Sequence, residues 1–365
     1  MVRVVVVEDS LTVREFLLQI LGSDPEIEIV ATAGTGVAAL EAVRRTRPDV
    51  ITMDIQMPSM NGLDATRIIM QTQPTPIVIV SGTLDVAETA SVFRAIEAGA
   101  LAVLPKPFGT EHPEYEQSAA ELVKTVKLMA EVKVVRRWSR SPRGEALATA
   151  PLVAEPQRRG APAGSQLVAI GASTGGPPVL QRILSGMPKD FPLPVLIVQH
   201  IAAGFTEGFV EWLAQSSSLP VELPGHGQRV SPGRVYVAPD GFHMTAGPDG
   251  RISLSSDEPE NGLRPSVSRL FRSVAKAYGP RAIGVLLTGM GKDGAMELKL
   301  MKDLGGVTIA QDQETSVVHG MPGEAIRLGG ATYVLCPERI PMTLTTLAAA
   351  PGRGRQTEMS LHETL

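Results

Sequence analysis

The stretch Val2 to Val7 holds five valines and one arginine, which suits a strand buried on both faces of a parallel sheet. It stops at Glu8 and Asp9, and a helical pattern follows with Val13, Phe16, Leu17, Ile20 and Leu21 on one face. The same strand-then-helix alternation repeats through Val50 to Met53, Ile77 to Val80 and Leu101 to Leu104, and it resumes from Leu167. It predicts an α/β architecture: two doubly wound three-layer domains with mainly parallel sheets, joined by a flexible linker. Ligands of such sheets sit beyond the carboxyl ends of the strands, so the polar residues that stop each apolar run are the candidates for chemistry.

Composition marks the boundaries. Residues 1–133 carry the first alternation and close with a helix from about Glu116 to Val132. Ser139-Arg140-Ser141-Pro142-Arg143-Gly144 and the Ala/Pro/Gly-rich stretch after it cannot bury enough apolar surface to fold alone, so 134–165 is expected to be a tether. Residues 166–347 form the second domain, and 348–365, with Pro351-Gly352-Arg353-Gly354, an unstructured tail. Cys336 is the one cysteine, which excludes a disulfide framework and a thiolate metal cluster. A charged-then-apolar leader and a long apolar span are both missing, so a cytoplasmic protein without membrane insertion is expected. The formal charge of −4 gives no general reason to expect nucleic acid as a partner, and the basic stretch Val132 to Arg143 is short.

In the first domain four strand ends carry the chemistry: Glu8 and Asp9, then Asp54, then Ser81, then Lys106. Acids gathered at one edge suit a hard divalent cation, Mg2+ above all, which takes oxygen ligands and keeps several waters. Asp54 would attack a phosphoryl group, with Ser81 and Lys106 on its oxygens. Helix capping is the alternative for Asp9 before Ser10. Glu8-Asp9, the run Met53-Asp54-Ile55-Gln56-Met57-Pro58-Ser59-Met60-Asn61-Gly62, Ile79-Val80-Ser81-Gly82 and Lys106-Pro107 together resemble a response-regulator receiver domain. The resemblance implies a phosphorylatable Asp54, a metal site at Glu8, Asp9 and Asp54 with the Gln56 carbonyl added, a histidine kinase as phosphodonor, and a cis peptide at Lys106-Pro107. Val103 stands where such domains usually carry an aromatic switch residue, and Pro105 directly precedes Lys106.

In the second domain the apolar run that begins at Gln166 stops at Gly171-Ala172-Ser173-Thr174-Gly175-Gly176, and a helical pattern with Val179, Leu180, Ile183, Leu184 and Met187 follows. A serine at such a strand-to-helix elbow is mounted as an acyl-transfer nucleophile, and a glycine-rich turn alone is the competing reading, which its partners must decide. A dinucleotide fingerprint is one residue away, but Ser173 replaces its middle glycine, and the next strand, Val195 to Val198, ends in Gln199-His200 rather than an acid. A further run, Ile283 to Leu287, leads through Met290 to Asp293. Ser173, His200 and Asp293 thus each follow a strand, and parallel strands would bring them to one edge as a Ser-His-Asp constellation. His226, His243 and His319 are rival histidines in turns, Asp240 and Asp249 read as turn residues, and a plain turn role stays open for Asp293 before Gly294.

Gly171 to Gly176, Gln199-His200, Gly204-Phe205-Thr206, Arg264-Pro265-Ser266-Val267, Leu287-Thr288-Gly289-Met290-Gly291 with Asp293-Gly294-Ala295, and Gly320-Met321-Pro322 resemble the catalytic domain of the chemotaxis protein-glutamate methylesterases, the CheB family. The order receiver, linker, esterase is also that family's. The resemblance implies phosphorylation-regulated hydrolysis of γ-glutamyl methyl esters on chemoreceptors, with glutamine deamidation, by a triad of Ser173, His200 and Asp293. Backbone amides near Thr174 and Met290 would form the oxyanion hole, with no cofactor for the esterase. Leu263, Ser268 and Ala202 depart from the usual residues, His, Asp and Pro. A non-catalytic receiver-linked regulator and an esterase of a non-motility chemosensory pathway are the alternatives.

Overall fold

The computed structural model describes residues 1–82, 86–132, 134 and 166–349, with the side chains of 86–91 left aside. The tether 134–165, apart from residue 134, and all but the first two residues of the tail 348–365 lie outside the described residues.

The first unit alternates strands and helices without exception: β1 (Val2–Val7), α1 (Leu11–Gly22), β2 (Ile27–Ala33), α2 (Gly36–Thr46), β3 (Val50–Met53), α3 (Gly62–Thr72), β4 (Ile77–Ser81), α4 (Val86–Ala98), β5 (Ala102–Pro105) and α5 (Tyr115–Ala130). The five strands pair in parallel in the order β2-β1-β3-β4-β5. Val4 to Val7 of β1 and all of β3 and β4 are buried, as strands covered by helices on both faces must be. Helix starts are set locally: Ser10, Thr35 and Asn61 each accept a backbone amide of the first turn of α1, α2 and α3. The order reverses at β1, so Glu8 and Asp54 leave neighbouring strands at the switch point.

The second unit runs β6 (Leu167–Ala172), α6 (Gly176–Ser185), β7 (Val195–Gln199), α7 (Thr206–Ser216), β8 (Val221–Glu222), β9 (Val235–Val237), β10 (His243–Ala246), β11 (Ile252–Ser255), α8 (Val267–Tyr278), β12 (Ala282–Leu286), α9 (Ala295–Asp303), β13 (Val307–Gln311), α10 (Met321–Arg327), β14 (Tyr333–Leu335) and α11 (Ile340–Ala349). Seven strands pair in parallel in the order β14-β13-β12-β6-β7-β9-β8, while β10 and β11 form a separate antiparallel hairpin. This sheet reverses at β6, flanked by β12 and β7. The strands that precede Ser173, His200 and Asp293 are therefore the three adjacent central ones.

One sequence expectation is corrected. Lys106–Pro107 is trans, and the cis peptide among the described residues is Arg264–Pro265. The two isomers of an X-Pro bond differ by only about 0.5–1 kcal/mol, so surrounding structure decides between them.

The two units touch. In α4 of the first, Phe93 packs against Phe209 and Trp212 of α7, with ring centroids 5.4 and 5.3 Å apart. Glu97 accepts hydrogen bonds from Trp212 Nε1 at 2.9 Å and from Gln181 Nε2 of α6 at 2.7 Å. All three rings are almost wholly buried.

Candidate active site

Register builds the centre of the second unit. Ala172 of β6 pairs with Gln199 of β7, so the next residues, Ser173 and His200, leave their strands side by side. The turn between β6 and α6 needs Gly175, whose φ of 77° is left-handed and whose added Cβ would lie 2.5 Å from Val317. Gly289, beyond β12, approaches so closely that a Cβ there would lie 2.7 Å from that of Ser173. Ser173 is thereby held between two chain segments with its hydroxyl at the sheet edge.

His200 Nε2 lies 2.9 Å from Asp293 Oδ2. Asp293 is 5% exposed and sits at the start of α8, where Ser266 Oγ donates to Oδ1, the Val267 amide to Oδ2 and the Ser268 amide to Oδ1, at 3.0, 2.6 and 3.0 Å. Burial opposes ionisation, but the His200 contact and the Ser268 bonds outweigh it and hold the Asp293 carboxyl down at about 2. The group is an anion throughout the neutral range, so it can fix the imidazole and steady its cation. With Asp293 on Nε2, Nδ1 is the ring nitrogen left for Ser173. Among the described residues the Ser173 hydroxyl forms no hydrogen bond to His200; such bonds commonly tighten only with substrate present. The amides of Thr174 and Met290 are likewise taken up by no other group among the described residues, leaving two donors beside Ser173.

Three supports escaped the sequence reading. Gln199 Nε2 donates to the carbonyls of Ser173 and His200 at 2.9 and 2.7 Å, tying the two strand ends together. Its signal was a polar residue closing an otherwise apolar strand that is buried throughout. Thr288 Oγ1 donates to the Thr174 carbonyl at 3.0 Å and accepts from the Val318 amide at 3.0 Å. Asp240 is more than a turn residue: its carboxylate accepts the Gly204 amide at 2.7 Å and the Thr206 hydroxyl, anchoring the loop after His200 to the start of α7. The rival histidines are otherwise engaged, His226 with Leu254, His243 with the Glu258 carbonyl, and His319 with Ser316.

In the first unit, oxygens of Glu8, Asp9 and Asp54 lie within 4.8 Å of one another. Lys106 Nζ stands 2.8 Å from Glu8 Oε2 and 2.9 Å from Asp54 Oδ2. The first contact is an ion pair without hydrogen-bond alignment, so the buried Glu8 Oε2 keeps unused acceptor capacity. Burial pushes the Glu8 carboxyl up against the pull of Lys106, while the two carboxylates of Glu8 and Asp54 raise Lys106 despite its own burial. An all-oxygen set with an unsatisfied buried acceptor fits a hard divalent cation such as Mg2+. The Gln56 amide points to Asp54 Oδ1 at 3.4 Å, Ser81 is buried at the end of β4, and the Lys106 amide donates to the Ser81 carbonyl at 2.9 Å.

A receiver-type unit set against an α/β unit with Ser, His and Asp at one sheet edge defines a class of phosphorylation-coupled regulator. Comparison with known proteins makes the class specific. A response regulator receiver domain model matches residues 4–113, and a CheB methylesterase model matches 168–344. The protein-glutamate methylesterase/protein-glutamine glutaminase of Nitrosospira multiformis is 58% identical, covering 96% of this chain and 98% of its own. A second relative with that printed name, numbered 4 in Geobacter metallireducens, is also 58% identical, over 95% of this chain and 99% of its own. A crystal structure of the Thermotoga maritima CheB methylesterase catalytic domain is 41% identical, covering 50% of this chain and 98% of that one, with a TM-score of 0.49. The chain belongs to the CheB methylesterase family. Among the described residues no helix is long and apolar enough to cross a membrane.

Proposed function

We propose that this protein hydrolyses γ-glutamyl methyl esters on the cytoplasmic helices of chemoreceptors, and deamidates receptor glutamines, under control of phosphorylation by a chemotaxis-type histidine kinase. The observation that carries the reading is His200 bonded to an ionised, buried Asp293 beside Ser173 at one sheet edge. Ser173 Oγ attacks the side-chain carbonyl while His200 takes its proton. Collapse of the tetrahedral adduct expels methanol, or ammonia from a glutamine, protonated by His200. Water then attacks the acyl-serine by the same route in reverse and frees the glutamate. The Thr174 and Met290 amides face the oxyanion, and a well-placed donor of this kind contributes about 3–4 kcal/mol. An intact, fully bonded Asp293 argues against a vestigial, non-catalytic set. The test is methanol release by the full-length protein from membranes bearing methylated receptors, with a small phosphodonor and Mg2+ present. Absence of release under every phosphorylation condition would leave only the non-catalytic regulator.

In the receiver, Glu8, Asp9 and Asp54, with the Gln56 carbonyl, would hold Mg2+, which when bound neutralises charge on the incoming phosphoryl group. Asp54 accepts that group, and Ser81 and Lys106 contact its oxygens. Labelled phosphate is expected on the parent protein, none on Asp54→Asn, and none in chelator; label persisting on Asp54→Asn would move the acceptor elsewhere.

A further inference from the structure

Behind the triad runs a chain of polar groups that the proposed reaction does not use. Ser268, 4% exposed, belongs to the first turn of α8 and makes three bonds at once. Its amide donates to Asp293 Oδ1 at 3.0 Å, its hydroxyl oxygen accepts the Gly294 amide at 2.9 Å, and its hydroxyl proton goes to Glu297 Oε2 at 2.7 Å. Glu297 is held in turn by Arg272 at 2.8 Å, and Arg272 makes a forked pair with Glu260 at 3.1 and 2.6 Å. Those pairs push Arg272 up and Glu260 down, so both stay charged.

We infer that Ser268 is a positioning residue for the Ser-His-Asp site: it clamps the Asp293-Gly294 turn to α8 and so sets the orientation in which Asp293 meets His200. The inference rests on the esterase reading above. Two properties of the serine carry it. A hydroxyl donates and accepts together, whereas a carboxylate at this place would set a third negative charge against Asp293 and Glu297. A methyl side chain would leave the buried Gly294 amide and one Glu297 oxygen without a partner, and the turn would relax to satisfy them. Asp293 keeps its donors on α8 but is displaced with the turn, and its hold on His200 weakens. The charged groups around this carboxylate are His200 beyond β7, Glu297 on α9, and Arg272, Arg269 and Glu260 along α8 and the strand-free segment before it.

Because Asp293 fixes the imidazole, displacing the turn weakens the hydrogen bond between His200 Nε2 and Asp293 Oδ2. The full-length Ser268→Ala protein, assayed with phosphodonor and Mg2+, is expected to lose about 10- to 100-fold in kcat with KM little changed, the range by which supporting shells commonly act. The NMR signal of the His200 ring proton that bonds Asp293 should move or broaden, and Ser268→Thr, which keeps the hydroxyl, should restore both. That ring-proton signal reports the His200–Asp293 bond directly and does not depend on turnover. An unchanged His200 ring-proton signal in a folded Ser268→Ala protein overturns the inference whatever the esterase assay gives; a parent protein that releases no methanol overturns the proposed function alone. If Ser268→Ala does not fold, Glu297→Ala, which removes the acceptor of the Ser268 hydroxyl, must change the same ring-proton signal, and an unchanged one overturns the inference equally.

Discussion

Ser173→Ala is expected to lower methanol release by about 10^4- to 10^6-fold, and His200→Ala to do nearly the same, with the double variant scarcely worse than either. Triad members act as a unit, so each loss exposes the same residual catalysis from the oxyanion donors and binding. The structure separates these variants from Asp293→Ala in stability. Ser173 lies at the edge, and removing its hydroxyl strands no buried partner. Asp293 instead takes up Ser266 Oγ and the amides of Val267 and Ser268 in a buried pocket. Each donor left unsatisfied there costs about 1–3 kcal/mol, so Asp293→Ala should lose activity and also melt several degrees lower. Asp293→Asn keeps one acceptor oxygen and should recover part of the melting loss but little of the activity. Turnover in Ser173→Ala within tenfold of the parent would remove the nucleophile assignment.

Much of this arrangement was legible in the sequence, because it depends on local pattern. Valine-rich runs such as Val2–Val7 announce strands buried on two faces, and in a parallel sheet each run's last residue marks the functional edge. Ser173, His200, Asp54 and Lys106 could all be placed by that rule. What escaped depends on contacts between distant segments. Asp240 before Gly241 is indistinguishable from a turn residue until β9 brings it to Gly204 and Thr206. Ser266 and Ser268 are ordinary helix-start residues until Asp293 arrives as the acceptor from elsewhere in the chain. The β10–β11 hairpin lay hidden among glycine- and proline-rich turns, whose short strands carry too few residues for a period-2 signal. The isomer of Lys106–Pro107 is likewise a property of the assembled strand end, not of the dipeptide.

Loosening the receiver from α7 is expected to raise the unphosphorylated esterase rate by at least about tenfold. The contact is built on few residues: Phe93 against Phe209 and Trp212, and Glu97 accepting from Trp212 and Gln181. It bears on the site from two sides. Helix α7 starts where Asp240 anchors the loop that follows His200. Val318, whose carbonyl accepts the Gly289 amide beside Ser173, packs against the receiver cluster that contains Leu104 and Leu122. A docked receiver thus lies against the segments that shape the Ser-His-Asp site. Phe→Ala in a packed apolar contact costs about 3–5 kcal/mol, and each 1.4 kcal/mol is tenfold in the docking equilibrium, so Phe93→Ala should open most molecules even if half the loss falls within the receiver. Glu97→Ala, which strands the Trp212 indole donor, should act in the same direction, and Glu97→Gln, which keeps an acceptor, much less. Phosphorylation of the receiver has to supply a comparable bias, at most about 5.5 kcal/mol for a swing from 1:99 to 99:1. Phosphodonor should therefore raise the parent rate and leave Phe93→Ala almost unmoved, and deletion of residues 1–165 should match the opened state. Trp212 fluorescence should change with phosphodonor in the parent as the indole leaves Glu97 and Phe93. Equal basal rates in the parent, Phe93→Ala and the deletion, with no response to phosphodonor, would show that the receiver does not restrain the esterase through α7.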